Sequence, residues 1–216
     1  MSNSIRLCLL FLSFIILITS GCATITPYDY TAFERSKPRS IVVIPPKNNS
    51  IEVNAPYIYL STVTRPLAEK GYYVFPVFVI DHFLKENGLP TPAEMNGIPL
   101  DKIGEHIGAD AVLYISIEEW GQKYQVIQSV SKVHATLRLV DVKTGDLLWD
   151  STAMAQKSSG DGGGGIAGML VSAVVTQILA STLADPLPGL ASQANNLAID
   201  NQSQGMLDGP YKLSTE

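Results

Sequence analysis

Thiols, histidines and charges are all scarce in this chain of 216 residues. Its two cysteines are Cys8, inside an apolar leader, and Cys22, directly after it. A disulfide framework is thereby excluded, and stability has to come from a packed core. The three histidines, His82, His106 and His134, show no H-x-H, H-x-x-H or H-E-x-x-H spacing, which excludes the common zinc motifs. Only 16% of the residues are charged, with 15 Lys and Arg against 20 Asp and Glu and no basic cluster. That balance excludes a nucleic-acid footprint and strong attraction to anionic headgroups. No G-x-S-x-G elbow presents a nucleophilic serine. Neighbouring residues of a strand face opposite sides, so Glu118 and Glu119 are not expected to flank one bond as paired carboxylates. No catalytic residue, cofactor or metal site is expected, and the chain is read as a non-enzyme.

Apolar residues, in contrast, make up 46% of the chain, enough to rule out a disordered protein. Residues 7–18 form an apolar run behind the positive Arg6, and Thr19-Ser20-Gly21-Cys22 follows. A dozen residues are too few to cross a bilayer, which needs about 20, and the layout is that of a secretory signal. Small residues before a cysteine resemble the bacterial lipobox, with cleavage between Gly21 and Cys22 and a diacylglycerol and palmitate attached at Cys22. Losing the leader removes one charge, Arg6, and moves the formal net charge from −5 to −6. Ala23 after the cysteine, where Asp retains lipoproteins in the inner membrane, favours the outer membrane and a periplasm-facing body.

Residues 22–39 are expected to be the lipidated N-terminus and a tether, the 17 or so residues after the cysteine reaching roughly 55–60 Å when extended. Residues 40–157 are then expected to be an α/β (α+β) domain with a mixed sheet of about five strands and packed helices. Short apolar β-branched runs at 40–44, 72–75 and 111–117 read as strands. Val133, Ala135, Leu137 and Leu139 alternate with polar residues as a half-exposed strand, which the Lys143-Thr144-Gly145 turn connects to a partner at 147–149. Helices are expected near 56–70, with a kink or break at Pro66, and at 77–86 and 100–107.

Ser158 to Gly165 is glycine-rich, but Ile166 and Ala167 stand where a phosphate loop needs Lys and Ser or Thr, so 158–165 reads as a hinge. The uncharged residues 166–183 carry a ridge of small side chains, Gly168, Ser172, Thr176 and Ala180, at spacing four. Such a ridge lets another helix approach closely, and it is the candidate interface. Residues 166–200 are expected to be C-terminal helices packing on the domain or a partner, and 201–216 a mobile tail. The aromatics Tyr57, Tyr59, Tyr72, Tyr73, Tyr114, Trp120, Tyr124 and Trp149 are expected to be mostly core, with the wet ones available as interface anchors.

Several stretches occur together in order: Leu67-Ala68-Glu69-Lys70-Gly71-Tyr72-Tyr73-Val74-Phe75-Pro76, Gly108-Ala109-Asp110-Ala111-Val112-Leu113-Tyr114, residues 139–149, and Gly209-Pro210. With the lipobox they resemble a domain-of-unknown-function family of Gram-negative lipoproteins, known through a neisserial genome-derived antigen. The resemblance implies a fold similar to the N-terminal domain of TolB and the periplasmic domain of CsgG. It also implies an accessory role in envelope assembly or export beside a CsgG-like lipoprotein; the lipobox, the tether and the small-ridged helix by themselves suggest docking onto a second copy or a partner envelope protein. It carries no catalytic residues, and the long hairpins of a CsgG-type barrel are not expected here. Binding of a ligand or glycan is the alternative reading and a hydrolase the weaker third.

Overall fold

The computed structural model describes residues 27–124, 129–158 and 185–213. Along the chain run α1 (Thr31–Ser36), β1 (Ser40–Val43), β2 (Lys47–Asn48), α2 (Ala55–Glu69), β3 (Tyr73–Val74) and α3 (Val77–Glu86). Then come α4 (Pro92–Met95), α5 (Leu100–His106), β4 (Ala111–Tyr124), β5 (Ser129–Asp141), β6 (Leu147–Ser158) and α6 (Leu187–Ile199). The strands form one mixed sheet in the order β3-β1-β4-β5-β6, with β2 also paired to β4. The pairs β1/β3, β1/β4 and β2/β4 are parallel, and β4/β5 and β5/β6 are antiparallel. The mixed sheet with packed helices agrees with the expected class; β2, in the polar stretch after Pro46, adds a sixth strand to the five or so expected. Pro45 and Pro46 cannot donate to a ladder, so they interrupt the line that β1 and β2 share along β4.

Strand alternation divides the core into two layers. Ile41, Val43, Ala111, Leu113, Ile115 and Ile117 face one cluster, covered by α1, α2 and α6 through Phe33, Tyr59, Val63, Leu67, Leu190 and Ala194. Val42, Ile44 and Val112 face the other, covered by Ile80 and Leu84 of α3, Met95 of α4 and Ile103 of α5. Burying a side chain of this size stabilises by about 1.5–3 kcal/mol, so the central strand β4 contributes on both faces. The break expected at Pro66 does not occur; in the last turn of α2 the ring removes one intrahelical bond and the helix continues to Glu69.

Both ends of the body are more tightly bound than their composition suggests. Within the expected tether, Phe33 is buried against Tyr72, their rings 6.5 Å apart. Tyr28 Oη donates to Asp150 Oδ1 at 2.7 Å and accepts from the Asp150 N–H at 2.9 Å. The tether reading is therefore corrected: only four residues lie between Cys22 and Pro27, five steps that reach roughly 16–18 Å. The expected mobile tail is corrected as well. Met206 is buried, Gly209 N–H donates to Lys70 O (2.7 Å), and Tyr211 N–H donates to Gly71 O (3.0 Å). Buried Trp149 donates from Nε1 to Gln204 O at 2.8 Å, and Tyr72 Oη donates to Leu207 O at 2.6 Å. Aromatic groups with one polar atom give an otherwise polar segment its fixed position.

Candidate functional site: the open face and edge of the sheet

Past Val112 and Val140 the second layer stops, and among the described residues no helix covers the rest of that face. Tyr114, Ser116, Glu118 and Glu119 of β4, Lys132, His134, Thr136 and Arg138 of β5, and Thr152, Met154 and Gln156 of β6 are half-buried or exposed there. A β-bulge organises the far end. Glu118 and Glu119 together oppose His134, because the register shifts between Ile117/Ala135 and Glu119/His134. Ile117 and Trp120 both point into the core, so the two carboxylates between them share the open face. This corrects the expectation that they face opposite sides, which assumed an unbroken period of two.

The two carboxylates are held differently. Glu119 Oε1 lies 2.6 Å from Lys132 Nζ and 3.8 Å from His134 Nδ1. Glu118 Oε2 accepts from Asn49 Nδ2 at 2.9 Å. Hydrogen bonds from Asn49 and Ser116 outweigh the modest burial and, with His134 and Thr136 nearby, keep the Glu118 carboxyl below its ordinary range. A carboxylate stabilised in its charged form is a poor general acid, so Glu118 is unsuited to the acid role of a carboxylate pair.

The histidines do not converge. His82 lies 3.2 Å from Glu86 and stacks on Phe78; His106 on α5 lies 3.8 Å from Glu105; His134 belongs to the bulge. No group of three or more His, Cys, Asp or Glu side chains suited to a metal occurs among the described residues. Of the aromatics, Tyr59, Tyr72, Trp120 and Trp149 are core, whereas Tyr57 and Tyr73 are exposed and Tyr114 is half-buried. A glycan platform of stacked Tyr and Trp rings is therefore not assembled by the described members of that set.

The outer edge of β6 is the second feature of this region. At Asp150 it is closed: the N–H meets Tyr28 Oη, and the carbonyl accepts from Gln204 Nε2 at 3.1 Å. Antiparallel alternation turns the main-chain groups of Thr152, Met154 and Gln156 outward in the same way, and these have no partner among the described residues. Sequence reading stopped β6 at Trp149 because its later inward residues are the small Ala153 and Ala155. Likewise it ended β4 at Ile117, where the bulge breaks the alternation. The antiparallel strands run longer than the sequence suggests: β4, β5 and β6 have 14, 13 and 12 residues.

Cys22 and the ridge Gly168, Ser172, Thr176 and Ala180 lie outside the described residues, as does the glycine-rich stretch from 159 on. Among the described residues no helix is long and apolar enough to cross a membrane.

Among the described residues, a six-stranded mixed sheet clothed by helices, with residues 28–36 and 201–212 strapped across it, defines a mixed α+β body. The chain belongs to the family described as "Putative lipoprotein GNA1162-like", whose profile matches residues 28–211. It is 41% identical over 183 residues to "Putative lipoprotein NMB1124/NMB1162" of Neisseria meningitidis serogroup B, covering 85% of each chain. The crystal structure of lipoprotein GNA1162 from Neisseria meningitidis is similar at a TM-score of 0.56 and 43% identity, over 67% of this chain and all of that one. A PelC dodecamer from Paraburkholderia phytofirmans, carrying one substitution, matches at a TM-score of 0.46 and 18% identity, over 80% of this chain and 90% of that one.

The stretches that carried the resemblance turn out to be scaffold. Asp110 Oδ2 accepts from the N–H groups of Arg39 (3.0 Å) and Ser40 (3.1 Å), tying the start of β4 to β1. Asp141 Oδ1 accepts from the N–H groups of Lys143 and Thr144, both at 2.8 Å, closing the turn before Gly145. Gly71, at φ +89°, and Gly209 let two backbones touch: a Cβ on Gly71 would collide with Lys212 N, and one on Gly209 with Gly71 O.

Proposed function

We propose that this protein is an outer-membrane lipoprotein, acylated at Cys22, whose periplasm-facing body holds a partner envelope protein and catalyses no reaction of its own. The observation that carries the assembly role is the outer edge of β6, closed by Tyr28 and Gln204 at Asp150 and without a main-chain partner beyond it among the described residues. A long uncovered edge is a hazard that folded proteins normally blunt, and its main-chain groups are matched by a strand from another chain. That strand comes from a second copy or from a CsgG-like export lipoprotein, the partner the family resemblance implies. The short reach between Cys22 and Pro27 supports the same reading, since it keeps the body close to the lipid surface. The ridge Gly168, Ser172, Thr176 and Ala180 is the second contact in this proposal.

A photo-crosslinking amino acid at Gln156, expressed in the native envelope, tests the reading. An adduct is expected, at twice the monomer mass for a second copy and at another mass for a different partner. Recovery of monomer alone from Gln156, with efficient incorporation, would overturn the edge role. Metabolic labelling with a palmitate analogue tests the anchor separately: label is expected on the native chain and absent from Cys22→Ser.

A further inference from the structure

We propose that the open sheet face binds a small oxyanion, a carboxylate or phosphate group, held by Lys47, Arg138 and the hydroxyl of Tyr114. These three side chains, with Ser116, Thr136 and Asn96, line a hollow of about 270 Å³ between β2, β4 and β5. Register supplies the convergence. Lys47 is level with Ser116, Ser116 with Thr136, and Tyr114 with Arg138. Two strand spacings and two residues along the chain put Lys47 and Arg138 about 12 Å apart at Cα. Both side chains are long enough to meet over Tyr114, which lies on the strand between them.

What marks the hollow is that its two cations have no ion-pair partner among the described residues. Neither Lys47 nor Arg138 makes an ion pair or hydrogen bond among the described residues, and the Tyr114 hydroxyl has no polar partner there. Two carboxylates lie on the same face, Glu118 and Asp150, and the hydrogen bonds they accept come from neutral groups rather than from these cations. Glu118 is held by Asn49, Ser116 and Thr136. Asp150, directly opposite Arg138 on β6, has its Oδ1 occupied by Tyr28 Oη at 2.7 Å. Lys47 and Arg138 thus bring two cationic donor groups to one hollow in a chain of formal net charge −5. Arg138 offers a planar fork of N–H donors, Lys47 a point charge and Tyr114 a neutral donor, a set that matches the oxygens of a carboxylate or phosphate. Burial of part of the Tyr114 ring keeps its hydroxyl protonated and able to donate.

Isothermal titration of the full acylated protein in a nonionic detergent, at low salt, tests this with inorganic phosphate, glucuronate and uncharged glucose as probes. Saturable binding of phosphate, glucuronate or both is expected, with no saturation by glucose. Binding of one oxyanion alone supports the site and identifies which source it fits. Lys47→Gln and Arg138→Gln should each weaken binding about tenfold and together abolish it, while Lys143→Gln in the distant β5–β6 turn leaves it unchanged. Circular dichroism checks that these surface variants keep the fold. The proposal is overturned by no saturation with either oxyanion up to about 10 mM, by undiminished binding in the double variant, or by equal binding of glucose. None of these outcomes depends on what pairs with the edge of β6.

Discussion

Between α2 and α6 a short polar chain is sealed inside the core, and cutting it should show how firmly the C-terminal helix is docked. Tyr59 is fully buried and donates from Oη to Asn195 Oδ1 at 2.5 Å; Asn195, also fully buried, donates from Nδ2 to Thr62 Oγ1 at 3.0 Å. Burial raises the Tyr59 pKa far above its ordinary value, so the hydroxyl remains a donor at any working pH. Tyr59→Phe removes one bond and leaves the Asn195 carbonyl oxygen without its donor, at a cost of about 1–2 kcal/mol. Asn195→Ala removes both bonds, strands the Tyr59 hydroxyl and opens a small cavity, at about 3 kcal/mol. That corresponds to about 6–12 °C in Tm for a body of this size. In the double variant no hydroxyl is left stranded, so its cost should fall short of the sum by about 1–2 kcal/mol. Urea unfolding followed by the fluorescence of the buried Trp120 and Trp149 gives all three values. Additivity within about 0.5 kcal/mol would refute the coupling and with it the docking of α6 described above.

Two further outcomes follow from the turns and straps. Burial pushes the Asp141 carboxyl up, but bonds from Ser36, Thr144 and Lys143 outweigh it and leave the pKa below the ordinary value. A lowered folded value means stability that is complete above the unfolded value near pH 4 and is lost as pH falls through the folded one. Asp141→Asn should therefore cost about 1–2 kcal/mol at pH 7, and its deficit should shrink as urea midpoints are measured down toward about pH 2.5; an equal deficit at both ends would contradict this. Gly71→Ala forces a Cβ onto Lys212 at a positive φ, so a loss of about 3 kcal/mol is expected, with faster amide exchange at Gly209 and Tyr211. An unchanged Tm together with unchanged exchange at those amides would show that the strap does not bear on Gly71.

Most of the body was legible where one local rule acts alone. The apolar run at 111–117, the alternation from Val133 to Leu139, the Lys143-Thr144-Gly145 turn and the helix at 77–86 all match elements of the structure. Legibility failed where two rules overlapped or where the partner was distant. The bulge at Glu118 inserted one residue into the period of β4, which hid the strand beyond it and placed two carboxylates on a face that simple alternation denies to one of them. Ala153 and Ala155 are too small to announce an inward face, so β6 looked short. Phe33, Tyr28 and Met206 sit in segments whose composition is that of linkers, and the bonds of Tyr28 and Tyr72 that order those segments each span more than a hundred residues.

By itself the amino-acid order determined the succession of strands and helices and the mixed sheet they build, because these rest on spacing along one stretch of chain. Tertiary structure alone decided that Glu118 and Glu119 share one face, which main-chain groups of β6 turn outward, and that Lys47 and Arg138 line one hollow. Those outcomes depend on strand register, which does not exist until the sheet has formed.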